Sequence, residues 1–133
     1  EDGEYMKAFS TYDGMATALL KSKKIEIAIL TSENSQIVKS RAKKLGIKYV
    51  YINENEKLFR IKYLCNRLNI TSDEVAYIGD DVNDLEILKY VGLSAMPCTS
   101  PILDVFNPDY ITKRVGGNGA FREFSDLIIK YRK

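Results

Sequence analysis

Three carboxylates, Asp80, Asp81 and Asp84, crowd behind Gly79 at the end of the apolar run Val75-Ala76-Tyr77-Ile78. Acids this close repel one another and hold their protons more tightly unless a cation lies among them. Hard oxygen ligands of this type suit Mg²⁺. A plainer role is also open, because Asp81 or Asn83 could cap a helix beginning near Val82. Two other polar groups follow apolar runs in the same way. Thr31-Ser32-Glu33 comes directly after Ile25–Leu30, and Lys57 comes shortly after Tyr49–Ile52. A hydroxyl and an ammonium can hold phosphate oxygens, the lysine as a point charge. With a metal-binding acid beside them they suit phosphoryl transfer, which depends on positioning and charge stabilisation. No residue in this set is an evident nucleophile. Asp13 is the N-terminal candidate, but it precedes Gly14 at a helix start, where capping is the simpler role.

The elements that would position these groups alternate along the chain. Apolar spacing predicts helices over 13–21, 35–45, 55–68, 82–91 and 121–131, with a short one opened by Ser100-Pro101. Gly46 closes the second of these. Apolar, β-branched runs predict buried strands over 25–30, 49–52, 75–78, 93–95 and 110–111. Alternating helix and strand implies an α/β domain with a doubly wound parallel sheet. Right-handed crossovers bring the C-terminal ends of such strands to one edge, where ligands bind. Thr31, Lys57 and the Asp80 cluster each follow a strand and so meet at that edge.

Composition narrows the chemistry. The 133 residues suffice for one domain with a real core. Twenty basic and eighteen acidic residues leave a net charge of +2, too little to argue for nucleic acid. The basic runs Lys21–Lys24 and Arg41–Lys44 read as solvated helix ends. No apolar run approaches a membrane span. No signal peptide is evident, and Cys65 and Cys98 have no metal-type spacing, so a cytoplasmic setting is expected. Histidine is absent. That excludes a Ser-His-Asp triad, a Cys-His dyad and His-ligated metals, leaving carboxylates, lysines, hydroxyls and a hard cation.

These residues, in this order, resemble the haloacid dehalogenase superfamily of phosphatases. They resemble most its small, capless branch of 3-deoxy-octulosonate 8-phosphate phosphatases. That branch also holds nonulosonate 9-phosphate phosphatases and the C-terminal domains of some CMP-sialate synthetases. Thr31 stands at the second family motif, Lys57 at the third, and Gly79-Asp80-Asp81-Val82-Asn83-Asp84 reproduces the fourth. Gly3-Glu4 with Lys7 and Phe9, Gly92-Leu93-Ser94-Ala95, and Gly116-Gly117-Asn118-Gly119-Ala120-Phe121-Arg122-Glu123 match further branch signatures. The resemblance implies a Rossmann-like core without a large cap and an aspartyl-phosphate mechanism. Thr31, Lys57 and Asp80 would be catalytic, with Ser32, Glu33 and Arg122 joining Thr31 and Lys57 in substrate binding. Mg²⁺ would be held by Asp80, with Asp81 and Asp84 orienting water, Lys57 or the loop. In the branch the glycine-rich tail reaches a neighbouring subunit's site within a homotetramer, making Arg122 an anion contact supplied in trans.

Two departures stand out. The first family motif, Asp-x-Asp-Gly on the central strand, is absent, and with it the nucleophile. The expectation is that roughly twenty to twenty-five further N-terminal residues carry it, a length set by one strand and a hairpin. The domain over 1–133 would then be N-terminally incomplete. At the second motif, Thr31-Ser32-Glu33 replaces the Thr-Gly-Arg usual in the octulosonate enzymes. An acid at the third position resembles the nonulosonate members, which points to a nine-carbon keto-sugar acid phosphate. Two rival readings remain. A non-catalytic oligomerisation domain of a CMP-sialate synthetase would be expected to lose the acid cluster, which is intact here. A receiver-like signalling domain would place its acid pair early, whereas here the acids follow the lysine.

Overall fold

The computed structural model describes residues 11–115 and 119–131. Gly3, Glu4, Lys7, Phe9, Gly116, Gly117, Asn118 and the side chain of Asp13 lie outside the described residues. In chain order the elements are α1 (Thr11–Ser22), β1 (Ala28–Leu30), α2 (Gln36–Lys44), β2 (Tyr49–Tyr51) and α3 (Lys57–Leu68). They continue with β3 (Ala76–Ile78), α4 (Leu85–Tyr90), β4 (Leu93–Pro97), β5 (Tyr110–Thr112) and α5 (Ala120–Tyr131). Single 3₁₀ turns over Ser72–Glu74 and Val82–Asp84 precede β3 and α4.

Local sequence explains the helix boundaries. Ser35 caps α2, its Oγ accepting from the Val38 N–H at 3.2 Å. Gly46, at φ +73°, closes that helix in the left-handed region, and the Ile47 N–H returns to the Ala42 carbonyl. Asn69 does the same for α3 at φ 57°, with the Ile70 N–H on the Cys65 carbonyl. The helix expected from Ser100-Pro101 is only a turn, in which the Val105 and Phe106 N–H groups both reach the Ile102 carbonyl. The proline presets a turn there, and no helical ladder follows. The helix expected over 82–91 opens as a 3₁₀ turn and becomes α-helical only from Leu85.

Every observed strand pairing is parallel, as alternating helices require. Successive residues of β1 face opposite layers. Ile29 packs with Val38, Ala42 and Ile47 beneath α2, whereas Leu30 packs with Ile61, Cys65 and Ile87 beneath α3 and α4. A third cluster, Leu88, Met96 and Ile102, lies under α4 and β4. Helices on both faces of parallel strands make this the expected doubly wound α/β architecture.

The strands among the described residues do not form one unbroken sheet. β1 pairs with β2, and β3, β4 and β5 form a second ladder in that order. Between β1 and β3 lies an apolar cavity of about 300 Å³. Its walls are residues of both strands, together with Thr17 and Leu20 of α1, Leu64 of α3 and Phe124 of α5. The predicted strand over 25–30 shortens to Ala28–Leu30, since pairing with β2 begins only at Ala28. Ala28 and Ala76, expected to be buried, are exposed, and both line this gap.

Candidate functional site

The C-terminal ends of β1, β2 and β3 carry the predicted polar groups, and the structure shows how each is held. Thr31, 1 % exposed, follows β1, and its Oγ1 accepts from the Glu33 N–H at 3.1 Å. The ladder of β1 and β2 runs on into the loops. The Thr31 N–H donates to the Tyr51 carbonyl at 3.0 Å, the Asn53 N–H to the Glu33 carbonyl at 2.8 Å, and the Glu54 N–H to the Thr31 carbonyl at 2.8 Å. The loop bearing Thr31 and the loop leading to Lys57 are therefore one backbone unit.

Lys57 opens α3 and is buried. Its Nζ donates to Asp84 Oδ1 at 2.9 Å, with both side chains almost fully enclosed. A buried ammonium is tolerated only with such a partner. The same Oδ1 accepts from the Tyr77 hydroxyl at 2.6 Å, and Oδ2 accepts from the Asp80 and Asp81 N–H groups at 3.1 and 3.2 Å. Asp84 thus ties one charged side chain, one phenol and two amides to a single carboxylate. Gly79 allows this closure, because a Cβ there would lie 2.7 Å from the Asp84 side chain and 2.8 Å from the Tyr77 ring. Only a residue without a side chain fits.

Asp81 caps the 3₁₀ turn, its Oδ1 accepting from the Val82 N–H at 2.7 Å. Asp80 is held by its backbone, with its N–H on Asp84 and its carbonyl accepting from Ser100 Oγ at 2.8 Å. The Asp80 carboxylate has no recorded partner among the described residues. Its peptide is fixed on both sides while its oxygens stay available. Among the described residues no three acids or thiols gather closely enough to hold a metal by themselves. The cluster is thus not a self-contained cation cage. One acid braces, one caps and the third keeps its carboxylate available.

Two contacts join the half-sheets across the gap at this edge. Lys57 reaches Asp84, and Asn83 Nδ2 donates to Ser32 Oγ at 3.3 Å. Glu33 is exposed at the same rim. Arg122 sits on α5, where its Nε pairs with Asp126 Oδ1 at 2.9 Å. The structure thus brings Thr31, Ser32, Lys57, Asp80, Asp81 and Asp84 to one edge and pairs Arg122 along its own helix. Tyr77 and Ser100 were missed by residue-type reasoning. A tyrosine hydroxyl in an apolar run needs a polar partner, and that was a usable signal for Tyr77.

The haloacid dehalogenase-like hydrolase signature matches residues 4–92 of this chain. The chain belongs to that family. This haloacid dehalogenase-like chain is also 36 % identical over 128 residues to the 3-deoxy-D-manno-octulosonate 8-phosphate phosphatase KdsC of Escherichia coli, covering 96 % of this chain and 68 % of that protein. Among solved structures it is similar to the Moraxella catarrhalis 3-deoxy-D-manno-octulosonate 8-phosphate phosphatase in complex with magnesium ion, phosphate ion and KDO. The TM-score is 0.85 at 37 % identity, over 90 % of this chain and 67 % of that one. The cobalt-bound deoxy-D-mannose-octulosonate 8-phosphate phosphatase of Haemophilus influenzae gives a TM-score of 0.85 at 33 % identity, over 91 % of this chain and 71 % of that one. At these identities the family and the fold are shared.

Proposed function

We propose that this haloacid dehalogenase-like chain is the body of a Mg²⁺-dependent phosphatase acting on a phosphomonoester of a keto-sugar acid. The observation that carries this reading is the enclosed Lys57–Asp84 pair, set between Thr31 and the available Asp80 carboxylate. A hydroxyl, an ammonium and a lone hard-oxygen acid are what a phosphoryl group and a largely hydrated Mg²⁺ need. Asp80 fits such an ion, which takes one or two carboxylates and fills its remaining positions with water and phosphate oxygens. When bound, the ion would offset the charge of the phosphoryl group.

In this reading Thr31 and Lys57 hold the transferring phosphoryl group. Asp84 holds and aims the Lys57 side chain, and Ser100 and Asp84 together fix the Asp80 peptide. The nucleophile must come from elsewhere. The apolar gap between β1 and β3 has the form of a strand position, walled by parallel strands and by helices on both faces. Polypeptide outside the described residues would seat a parallel strand there, ending in Asp-x-Asp-Gly at the edge where Thr31, Lys57 and Asp80 meet. Its first aspartate would attack phosphorus as the bond to the sugar oxygen breaks. Its second would give that oxygen a proton, and water would then hydrolyse the aspartyl-phosphate. Mass spectrometry of the native gene product tests this. A product no longer than residues 1–133, isolated without a second chain, would count against it.

The sugar is read from the rim. Glu33, exposed beside Thr31, favours hydroxyl or amine recognition over capture of a carboxylate, which supports a nine-carbon nonulosonate 9-phosphate. The named relatives are octulosonate phosphatases, so side-by-side hydrolysis of both sugar phosphates is the test. A clear preference for the octulosonate ester would overturn the nine-carbon assignment and leave the phosphatase reading intact. Asp80→Asn tests the phosphatase reading itself. Turnover with Mg²⁺ should vanish while the thermal transition stays in place. Undiminished turnover would refute the role given to Asp80. We also propose a homotetramer that brings Arg122 to a neighbouring site. A monomer at micromolar concentration by light scattering would remove that role.

A further inference from the structure

The loop between β2 and α3 secures the start of α3 in an unusual way. Lys57 is the first residue of α3, and this end of the helix has no side-chain cap of the usual kind. Glu56 stands at the cap position and makes no capping hydrogen bond. A cation at a helix N-terminus is also disfavoured by the helix dipole. Something else must hold the first turn in place.

Glu54 meets that need. One carboxylate oxygen, Oε2, accepts from the Glu56 N–H at 3.1 Å. The other, Oε1, accepts from Arg60 Nε at 2.8 Å, one turn into the helix. The Arg60 guanidinium is in turn held over the Tyr51 ring at 4.6 Å and the Tyr63 ring at 5.3 Å. The backbone N–H of Glu54 donates to the Thr31 carbonyl at 2.8 Å. A single residue therefore grips the Thr31 loop by its main chain and the N-terminal turn of α3 by its side chain. The grip is charge-assisted, and the Arg60 hydrogen bond holds the Glu54 carboxyl below its ordinary value despite the opposing effect of burial. Glu54 and Arg60 are largely covered, at 14 % and 29 % side-chain exposure.

We infer that Glu54, locked by Arg60, is a positioning residue that fixes the Lys57 ammonium relative to Thr31 and so sets the width of the phosphate-holding pair. The inference rests on the reading of Thr31 and Lys57 as phosphate holders. Glu54 itself touches no reacting atom. Its effect passes through the Thr31 carbonyl on one side and the first turn of α3 on the other.

The test measures inorganic phosphate binding to the full-length protein in the presence of Mg²⁺, by calorimetry, for wild type, Lys57→Ala, Glu54→Ala, Glu54→Gln and Arg60→Met. The thermal transition of each variant is recorded in parallel. Glu54→Ala should weaken phosphate binding by at least about tenfold, a loss of about 1.4 kcal/mol, at temperatures well below its transition. Glu54→Gln, which keeps an acceptor for the Glu56 N–H, should recover part of that loss, and Arg60→Met should fall between it and wild type. Wild-type affinity in Glu54→Ala, with binding lost in Lys57→Ala, would overturn the inference and leave the site reading standing. Equal phosphate affinity in wild type and Lys57→Ala would overturn the site reading and the inference with it. If Glu54→Ala does not fold, Glu54→Gln and Arg60→Met decide, since wild-type affinity in both would refute the lock.

Discussion

Asp84 is the residue on which the site depends most, because four donors converge on two oxygens. Replacing it with alanine leaves Lys57 buried without a counter-charge and two amides without an acceptor. Removing one partner of a buried pair costs about 3 to 5 kcal/mol. Chemical denaturation of Asp84→Ala should show a loss in that range, together with the disappearance of turnover. Tyr77→Phe is the gentler probe. It removes one hydrogen bond to a charged acceptor, worth about 1.5 to 3 kcal/mol, and denaturation should report a loss at the lower end. That Thr31, Lys57 and Asp80 would share one edge was legible from the sequence, because each follows an apolar run within a few residues. Their division of labour was not legible. Nothing in Gly79-Asp80-Asp81 says which acid braces and which stays available. That is decided by Gly79 admitting the Asp84 side chain, and by Ser100 arriving from twenty residues away.

Among the elements, α5 shows how a helix end can be secured by one acid. Glu123 accepts the Tyr110 hydroxyl at 2.6 Å, the Lys113 N–H at 2.9 Å and the Arg114 N–H at 2.9 Å, which fastens the start of α5 to the end of β5. Burial pushes the Glu123 carboxyl up, but the Tyr110 hydroxyl, the two amides and the Lys113 charge together leave it below its ordinary value of 4.5. A carboxyl depressed on folding stabilises the fold above its unfolded-state pKa and loses that contribution as pH falls through its folded value. The difference in melting temperature between wild type and Glu123→Gln should be full at pH 7 and shrink as the pH falls below 4.5. A difference that grows on acidification would contradict the fastening. The order and type of the main elements followed from periodicity, because α2, α3 and α5 bury one apolar stripe each. The ends followed less well. Periodicity could not see that the run from Ile25 would pair only from Ala28, nor that Pro101 would begin a turn and stop.

For the molecule as a whole, the gap between β1 and β3 separates two ladders, each completed by its own crossover helices. Filling that gap should stiffen both. Addition of a synthetic strand peptide of branched apolar residues ending in Asp-x-Asp-Gly should raise the melting temperature of residues 1–133 in proportion to ligand concentration. No shift at millimolar peptide would mean that the gap does not accept a strand. The division also has a kinetic consequence. β1 with β2, and β3 with β4 and β5, are each stitched by near neighbours in the chain, whereas β1 and β3 have no ladder between them among the described residues. Such halves can open on separate clocks. For residues 1–133 alone, deuterium uptake should therefore fall into two sets of amides, joined through the shared cluster of Leu30, Ile61, Cys65 and Ile87 and through the edge where Lys57 meets Asp84 and Asn83 meets Ser32.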